Sequence, residues 1–197
     1  ISEEFYCKIL DKSVDGILIV LFEHRVSGFR LIICVCYLPP EHSRWGRDSV
    51  SFFAHLLNQL YTHENIDACI MAGDLNAIIG KLSDVIDGVD EVRARKVIDD
   101  KTNQHGTTFI EFLHESSMCV LNGRFDEQYD TFTSVSTKGS AVVDYIVTLK
   151  DKLDMFSHLS VESWGDIINR EQLKHVLKAR CLPPERGGVG WGGGIGG

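Results

Sequence analysis

The 197-residue sequence predicts a mixed α/β fold for two reasons. Runs of β-branched and other apolar residues, which are typical of buried strands, recur along the chain between turn residues. Two segments between those runs carry their apolar residues at helical spacing instead. No apolar run approaches the ~20 residues that a membrane-spanning helix needs, so no membrane partner is expected.

The first half of the chain predicts a hairpin, a helix and a buried strand. Residues 17–22 and 29–37 are apolar runs separated by a short polar turn, which favours an antiparallel hairpin. Two prolines end the second run because proline cannot donate to a strand ladder. Residues 47–62 have the apolar spacing of an amphipathic helix, and residues 68–72 form a short apolar run that predicts the next strand.

The middle of the chain predicts a long surface connection followed by a helix. Residues 80–104 are charged and rich in turn formers, and their acidic part, 84–91, is interpreted as a solvated loop. Helical spacing resumes near Gly106, and residues 118–121 predict another strand.

The last third predicts strands and then a glycine-rich end. Residues 131–133 and 141–147 are interpreted as two strands joined by a polar loop over 134–140. Residues 158–161 are a weaker strand candidate, and 166–178 a plausible polar helix. The expected organisation is one domain over 1–165, a helical or irregular extension over 166–186 and a disordered glycine-rich tail over 187–197.

Charge and cysteine content limit the possible partners and the compartment. The net charge is -8, from 20 Lys and Arg against 28 Asp and Glu, so the chain lacks the broad basic surface of non-specific nucleic-acid binders. A phosphate-bearing partner must therefore be held locally, with a cation. The six cysteines include no Cys-x-x-Cys pair and sit mostly in apolar runs, which indicates reduced core thiols and an intracellular, nuclear or cytoplasmic location.

Polar residues at strand ends indicate a site for phosphodiester cleavage. Tyr37 ends one predicted strand, residues 73–76 (Gly-Asp-Leu-Asn) follow another, and Asp144 lies in a third beside the loop 134–140. Cleaving a phosphodiester needs a base, a group that orients the water and donors for the developing charge. A carboxylate, an amide and a phenol suit these tasks. Taken singly, Asp74 and Asn76 could be simple turn formers.

These segments, in this order, resemble the endonuclease/exonuclease/phosphatase superfamily of DNase-I-like enzymes. The resemblance runs from residue 16 to residue 149, and the Gly-Asp-Leu-Asn turn looks like the superfamily's Gly-Asp-Phe-Asn motif. Residues 36–43 and 133–146 are most similar to the endonuclease domains of non-LTR retrotransposons. The resemblance implies two packed β-sheets flanked by helices, a four-layer sandwich, here with edge strands missing.

The resemblance also implies roles for individual residues. Asp74 is expected beside the attacking water, Asn76 orients that water or the phosphate, and Tyr37 donates to a phosphate oxygen. Asp144 is expected to orient a catalytic histidine. The expected cofactor is Mg²⁺ or Mn²⁺, and the expected substrate contact is a DNA backbone phosphate. Further substrate contacts are expected from His42, Arg44, Trp45 and Ser140.

The sequence departs from the superfamily pattern at both ends. Glu3 and Glu4 do not follow a predicted strand, so neither is assigned as the metal-binding glutamate, and the metal ligand is unknown. No Asp-His dipeptide follows Asp144. We therefore expect the middle of a domain with impaired activity. Two alternatives stay open: a phosphatase of the same superfamily and a non-catalytic remnant.

Overall fold

The structure is a computed structural model in which most of the chain is described. The expected substrate contact Trp45, the expected glycine-rich tail and part of the helix predicted over 166–178 lie outside the described residues. The described ranges are 3–44, 48–63, 65–125, 131–137, 139–164 and 173–181.

A six-stranded mixed sheet forms the centre of the molecule. The predicted hairpin is confirmed as the antiparallel pair of β2 (Ile17–His24) and β3 (Arg30–Tyr37), and β3 then pairs in parallel with β4 (Ala68–Asp74). Strand β1 (Phe5–Asp11) was not predicted, because the charged residues around it obscure its apolar pattern. The strand order is β1 (Phe5–Asp11), β2 (Ile17–His24), β3 (Arg30–Tyr37), β4 (Ala68–Asp74), β8 (Asp144–Leu149) and β5 (Met118–Val120).

Two helices cover one face of this sheet. Helix α1 (Ser49–Thr62) begins after Asp48, whose carboxylate accepts the N–H groups of Val50 and Ser51 at 3.1 and 3.2 Å. Helix α2 (Gln104–Glu115) lies beside it. Neither of these described helices is long and apolar enough to cross a bilayer. Both helices contribute to the main core through Phe52, Phe53, Leu56, Phe109, Phe112 and Leu113.

A second, four-stranded sheet packs on the opposite face, which confirms the predicted α/β fold with two packed sheets. Its contact with the first sheet is a small apolar cluster around Ile146 on β8 and Phe156 and Leu159 on β9 (Phe156–Trp164). A 3₁₀ helix over Lys150–Met155 connects β8 to β9. The strand order is β7 (Gly139–Ala141), β6 (Ser134–Ser136), β10 (Leu173–Cys181) and β9 (Phe156–Trp164).

Three sequence predictions near this second sheet are wrong. Residues 131–133 are irregular, and the expected loop 134–140 contains the short hairpin β6–β7. The helix predicted over 166–178 is wrong where the chain is described, because Leu173–Cys181 forms a strand. This strand pairs with β9 and β6, and such pairing between distant segments cannot be read from local spacing. The weak strand candidate 158–161 is confirmed within β9.

The long connection, residues 75–103, is held against the sheet by a buried ion cluster. Asp84 is only 2% exposed, so the prediction of a solvated acidic loop is wrong at this residue. Both oxygens of its carboxylate accept a bond from Arg124 Nη2 at 2.6 Å, and Oδ2 also accepts the Val120 N–H at 2.8 Å. Arg95 Nε lies 3.3 Å from Oδ1. We call Asp84, Arg95 and Arg124 the Asp84 cluster. The neighbouring Asp87 is exposed, as predicted.

The cysteines of the first sheet are free thiols, as predicted. Cys34, Cys36, Cys69 and Cys119 are buried and make no disulfide, whereas Cys7 on β1 is exposed. Burial raises the pKa of the Cys119 thiol to about 11. Burial also raises the pKa of Cys36, so the thiols of Cys36 and Cys119 are protonated at neutral pH and act as small apolar residues.

Candidate active site

Three of the predicted site residues lie side by side at the ends of three neighbouring strands. In the strand register, Tyr37 of β3 is opposite Asp74 of β4, and Asp74 is opposite Asp144 of β8. Residues that are directly opposite on neighbouring strands are about 5 Å apart and project from the same face of the sheet. We call Tyr37, Asp74 and Asp144 the strand-end row.

The Gly-Asp-Leu-Asn turn that carries Asp74 requires its particular residues. Gly73 has φ 152°, and a Cβ there would lie 1.8 Å from the carbonyl oxygen of Cys36. Leu75 is 1% exposed, and its N–H donates to the carbonyl of Val143 at 2.9 Å. Asn76 adopts the left-handed conformation with φ 45°, which asparagine tolerates better than most residues. The turn therefore fits the site for backbone reasons as well as chemical ones.

The carboxylate of Asp74 is partly buried beside a second carboxylate. Burial raises the pKa of Asp74 to about 6, the N–H of Asn76 opposes this rise, and the negative charge of Asp144 adds to it. The bond from the Asn76 N–H to Asp74 Oδ1 is 3.0 Å long. A carboxyl group with this pKa is ionised at neutral pH and still has an appreciable affinity for a proton, as a general base needs.

The side chain and the backbone of Asn76 are both held in place. Its Nδ2 donates to the carbonyl of Leu38 at 2.9 Å, which joins the turn to the end of β3. Its own carbonyl accepts a 2.9 Å bond from Nδ2 of Asn103, the residue before α2. An amide fixed in this way has a defined orientation relative to Asp74.

Two buried polar residues that the sequence did not single out hold Asp144. The N–H of Asp144 donates to Thr133 Oγ1 at 3.0 Å, and its carbonyl accepts from Asn122 Nδ2 at 3.1 Å. Asn122 Oδ1 also accepts the N–H of Ile146 at 3.2 Å. Asn122 directly follows the strand signal of 118–121, and that position at a strand end is the sequence feature that could have identified it.

The turn is also supported from the core side of the sheet. The hydroxyl of Tyr145, which is 1% exposed, lies 2.8 Å from the carbonyl of Ala77 and 2.6 Å from that of Val142. The Asp-Tyr pair of β8 therefore places an acid in the strand-end row and a phenol beneath the turn.

Tyr37 is the exposed member of the strand-end row. Its side chain is 51% exposed, and its hydroxyl makes no hydrogen bond to the residues that the structure describes. A phenol in this position can donate to a ligand that approaches the sheet end.

The remaining predicted substrate contacts stand on two separate segments. His42 and Arg44 are exposed in the loop after β3. This loop is joined to α2 because Glu41 Oε1 accepts the N–H of His105 at 2.6 Å. Ser140 lies on β7, opposite Val135 in the β6–β7 hairpin. Their contacts with a substrate stay predictions.

The described carboxylates do not form a complete metal site. Within the described ranges, no three or more His, Cys, Asp or Glu side chains come close enough together to hold a metal ion. Asp74 and Asp144 supply two neighbouring carboxylates, and no third His, Cys, Asp or Glu of the described ranges joins them. Glu3 and Glu4 precede β1, the edge strand of the sheet, and are exposed.

The sheets, the helices and the Gly-Asp-Leu-Asn turn together define a DNase-I-like endonuclease/exonuclease/phosphatase fold, as the sequence predicted. The chain is similar to the endonuclease domain of TRAS1, a telomere-specific non-LTR retrotransposon, with 14% identity and a TM-score of 0.60 over 92% of this chain and 72% of that one.

Two further solved structures show the same fold. The 3′ phosphatase NExo from Neisseria, bound to a product DNA hairpin, has 11% identity and a TM-score of 0.59 over 92% of this chain and 72% of that one. The AP endonuclease LMAP from Leishmania major has 10% identity and a TM-score of 0.60 over 91% and 62%. No protein-family model and no curated protein matches the sequence.

Proposed function

We propose that this chain hydrolyses phosphodiester bonds in DNA, as a divalent-metal-dependent endonuclease of retrotransposon origin. The observation that carries the proposal is the half-buried carboxyl of Asp74, with its pKa raised to about 6, between Tyr37 and Asp144 at the sheet end. Two similar proteins support it: one is a retrotransposon endonuclease domain, and the other was solved with a DNA product.

The proposed reaction is attack of a water molecule on phosphorus. The water oxygen forms a bond to phosphorus, its proton passes to the carboxylate of Asp74, and the P–O bond to the departing strand breaks. The departing oxygen takes a proton from solvent. Asn76 orients the water or the phosphate, and the Tyr37 hydroxyl donates to the phosphoryl oxygen on which charge develops.

The substrate phosphate must be held by local contacts because the net charge of the chain is -8. Arg44 is exposed in the loop after β3, and Arg93 is exposed in the long connection. Arg93 Nη1 donates to the carbonyl of Arg124 at 3.3 Å, which keeps it near the end of β5. A Mg²⁺ or Mn²⁺ ion, as the family resemblance implies, would add positive charge at the phosphate.

Nicking of supercoiled plasmid in Mg²⁺ tests the proposal. The wild-type chain and Asp87→Asn, which alters an exposed carboxylate that is not part of the strand-end row, are expected to nick the plasmid. Asp74→Asn and excess EDTA are expected to abolish nicking. Equal nicking by wild type and Asp74→Asn, or no nicking by a chain whose circular dichroism shows it to be folded, would reject the proposal.

A phosphatase of the same superfamily is the second candidate, favoured by the similarity to a 3′ phosphatase. An oligonucleotide with a 3′ phosphate, an abasic-site duplex and an inositol phosphate separate the candidates when they are assayed with the same variants. Release of inorganic phosphate that depends on Asp74, without strand nicking, would favour the phosphatase. No turnover of any substrate would favour the non-catalytic remnant.

A further inference from the structure

The side chain of Asn103 joins the start of α2 to the Gly-Asp-Leu-Asn turn. Its Oδ1 accepts the N–H of Gly106 and that of Ile78, each at 2.8 Å. Its Nδ2 donates to the carbonyl of Asn76 at 2.9 Å. The amide thus makes three bonds, two of them to the segment that begins at Asn76.

The first turn of α2 lies directly against this segment. A Cβ on Gly106 would be 2.0 Å from the carbonyl oxygen of Ile78, so only glycine allows the approach. The N–H of Asn103 also donates to that carbonyl at 3.1 Å. Movement of the helix start therefore moves the backbone that follows Asn76.

Helix capping accounts for only part of this arrangement. An N-cap needs an acceptor, and Ser, Thr or Asp would supply one about as well as Asn. The donated bond to the Asn76 carbonyl requires the amide nitrogen. This bond holds a residue with φ 45°, whose own N–H donates to Asp74 Oδ1 at 3.0 Å.

We infer that Asn103 is a positioning residue that acts through Asn76, holding the Asn76 N–H on the carboxylate of Asp74 and the Asn76 side chain on Leu38. The geometric part of this inference depends on the contacts above, whereas the expected effect on catalysis rests on the proposed function.

Asn103→Ser tests the inference, because serine is neutral and keeps a capping oxygen but cannot donate to the Asn76 carbonyl. Loosening the Asn76 N–H removes a bond to the charged form of Asp74. The pKa of Asp74, measured by ¹³C NMR of its carboxyl carbon, is therefore expected to rise by about half a unit. Asp144 is the charged group that faces Asp74 across the strands, and it is unchanged in this variant.

The matched control is Thr148→Val. Thr148 is fully buried on β8, away from the strand-end row, and its hydroxyl donates to the carbonyl of Cys69 at 3.0 Å. We expect this variant to lose stability by a similar amount and to leave the pKa of Asp74 unchanged. If Asn103→Ser also leaves that pKa unchanged, the inference is wrong.

Nicking kinetics separate this inference from the proposed function. If the wild type nicks DNA, kcat is expected to fall about tenfold in Asn103→Ser with little change in KM. A shifted pKa in a chain that nicks nothing would support the positioning role and reject the proposed function. If the pKa of Asp74 is unshifted and the chain nicks DNA, the result would support the proposed function and reject the positioning role of Asn103.

A second variant covers the case in which Asn103→Ser does not fold. Asn103→Asp keeps both accepted bonds and loses the donor, and Thr102→Asp adds the same charge at the exposed neighbouring residue. The pKa of Asp74 is expected to rise more in Asn103→Asp than in Thr102→Asp. An equal rise of the Asp74 pKa in the two variants would mean that the added charge alone accounts for the effect, and this would contradict the inference.

Discussion

Two of the buried or partly buried carboxylates in the described ranges, Asp84 and Asp74, lie in opposite environments. Asp84 is bound by Arg124 at 2.6 Å, lies 3.3 Å from Arg95 and also accepts a backbone N–H. Asp74 forms no ion pair with a Lys or Arg of the described ranges, and the charged side chain opposite it is another carboxylate, Asp144.

The environment of Asp84 suits a structural role, and that of Asp74 suits the catalytic role proposed for it. A buried carboxylate with cationic partners has its charge compensated, so it can hold two segments together. A carboxylate without such partners keeps a raised pKa and a tendency to take up a proton, which is useful for catalysis and costs stability at neutral pH. Four substitutions test this contrast, in order of decreasing effect.

Asp84→Asn is expected to lower the free energy of unfolding by about 3 to 5 kcal/mol, because it leaves Arg124 and Arg95 as buried cations without a counter-charge. Urea unfolding followed by circular dichroism measures the loss. Asp87→Asn on the same connection is exposed and serves as the control, with no expected change. A loss in Asp84→Asn no larger than in the control would show that Asp84 is not the structural acid.

Asp74→Asn is expected to change the free energy of unfolding in the opposite direction, so that it stabilises the fold at neutral pH. The pKa of Asp74 is raised to about 6 in the folded state from an ordinary value of 3.8. Its contribution to stability is therefore present below pH ~4 and is lost as the pH rises through ~6. Replacement by asparagine should gain about 1 to 2 kcal/mol at pH 8, after allowance for solvent screening, and nothing at pH 4.

Urea unfolding of Asp74→Asn and wild type at the two pH values measures this difference. The other titrating groups are common to both chains, so their contributions to the free energy of unfolding cancel in the comparison. A variant that is less stable than wild type at pH 8 would contradict the view that the charge of Asp74 is uncompensated.

Tyr37→Phe is expected to slow plasmid nicking by about tenfold, because it removes one donor to the phosphoryl oxygen. The side chain is 51% exposed, so the unfolding midpoint should not change. Tyr6→Phe gives a matched control on an exposed tyrosine of β1, at 57% exposure. Equal nicking rates for the three chains would remove Tyr37 from the proposed mechanism.

Asp144→Asn is expected to lower the pKa of Asp74 by about half a unit, since it removes the like charge opposite Asp74. Carbon-13 NMR titration of the Asp74 carboxyl measures the change whether or not the variant is active. Asp151→Asn, on the exposed side of the 3₁₀ helix, is the control. If the pKa does not fall, burial accounts for the whole rise at Asp74.

The geometry of the candidate site was predictable where short motifs encode it, whereas the catalytic roles of its residues stay predictions. The Gly-Asp-Leu-Asn turn and the Asp-Tyr pair each have local reasons for their residues, and the strand order of the resemblance placed Tyr37, Asp74 and Asp144 near one another. Asn103 was not predictable, because an asparagine before a helix indicates a cap, whereas its bond to Asn76 joins residues 27 positions apart.

Local patterns in the sequence encode the β2–β3 hairpin, the two helices, the buried strand β4 and the turn that follows it. Three other features are set by tertiary contacts: Leu173–Cys181 is a strand, Asp84 is buried and Asn103 holds the turn. Each of these depends on a partner far away in the chain. Propensity and spacing describe a residue's neighbours in sequence, whereas strand pairing, ion pairing and burial are set by its neighbours in space.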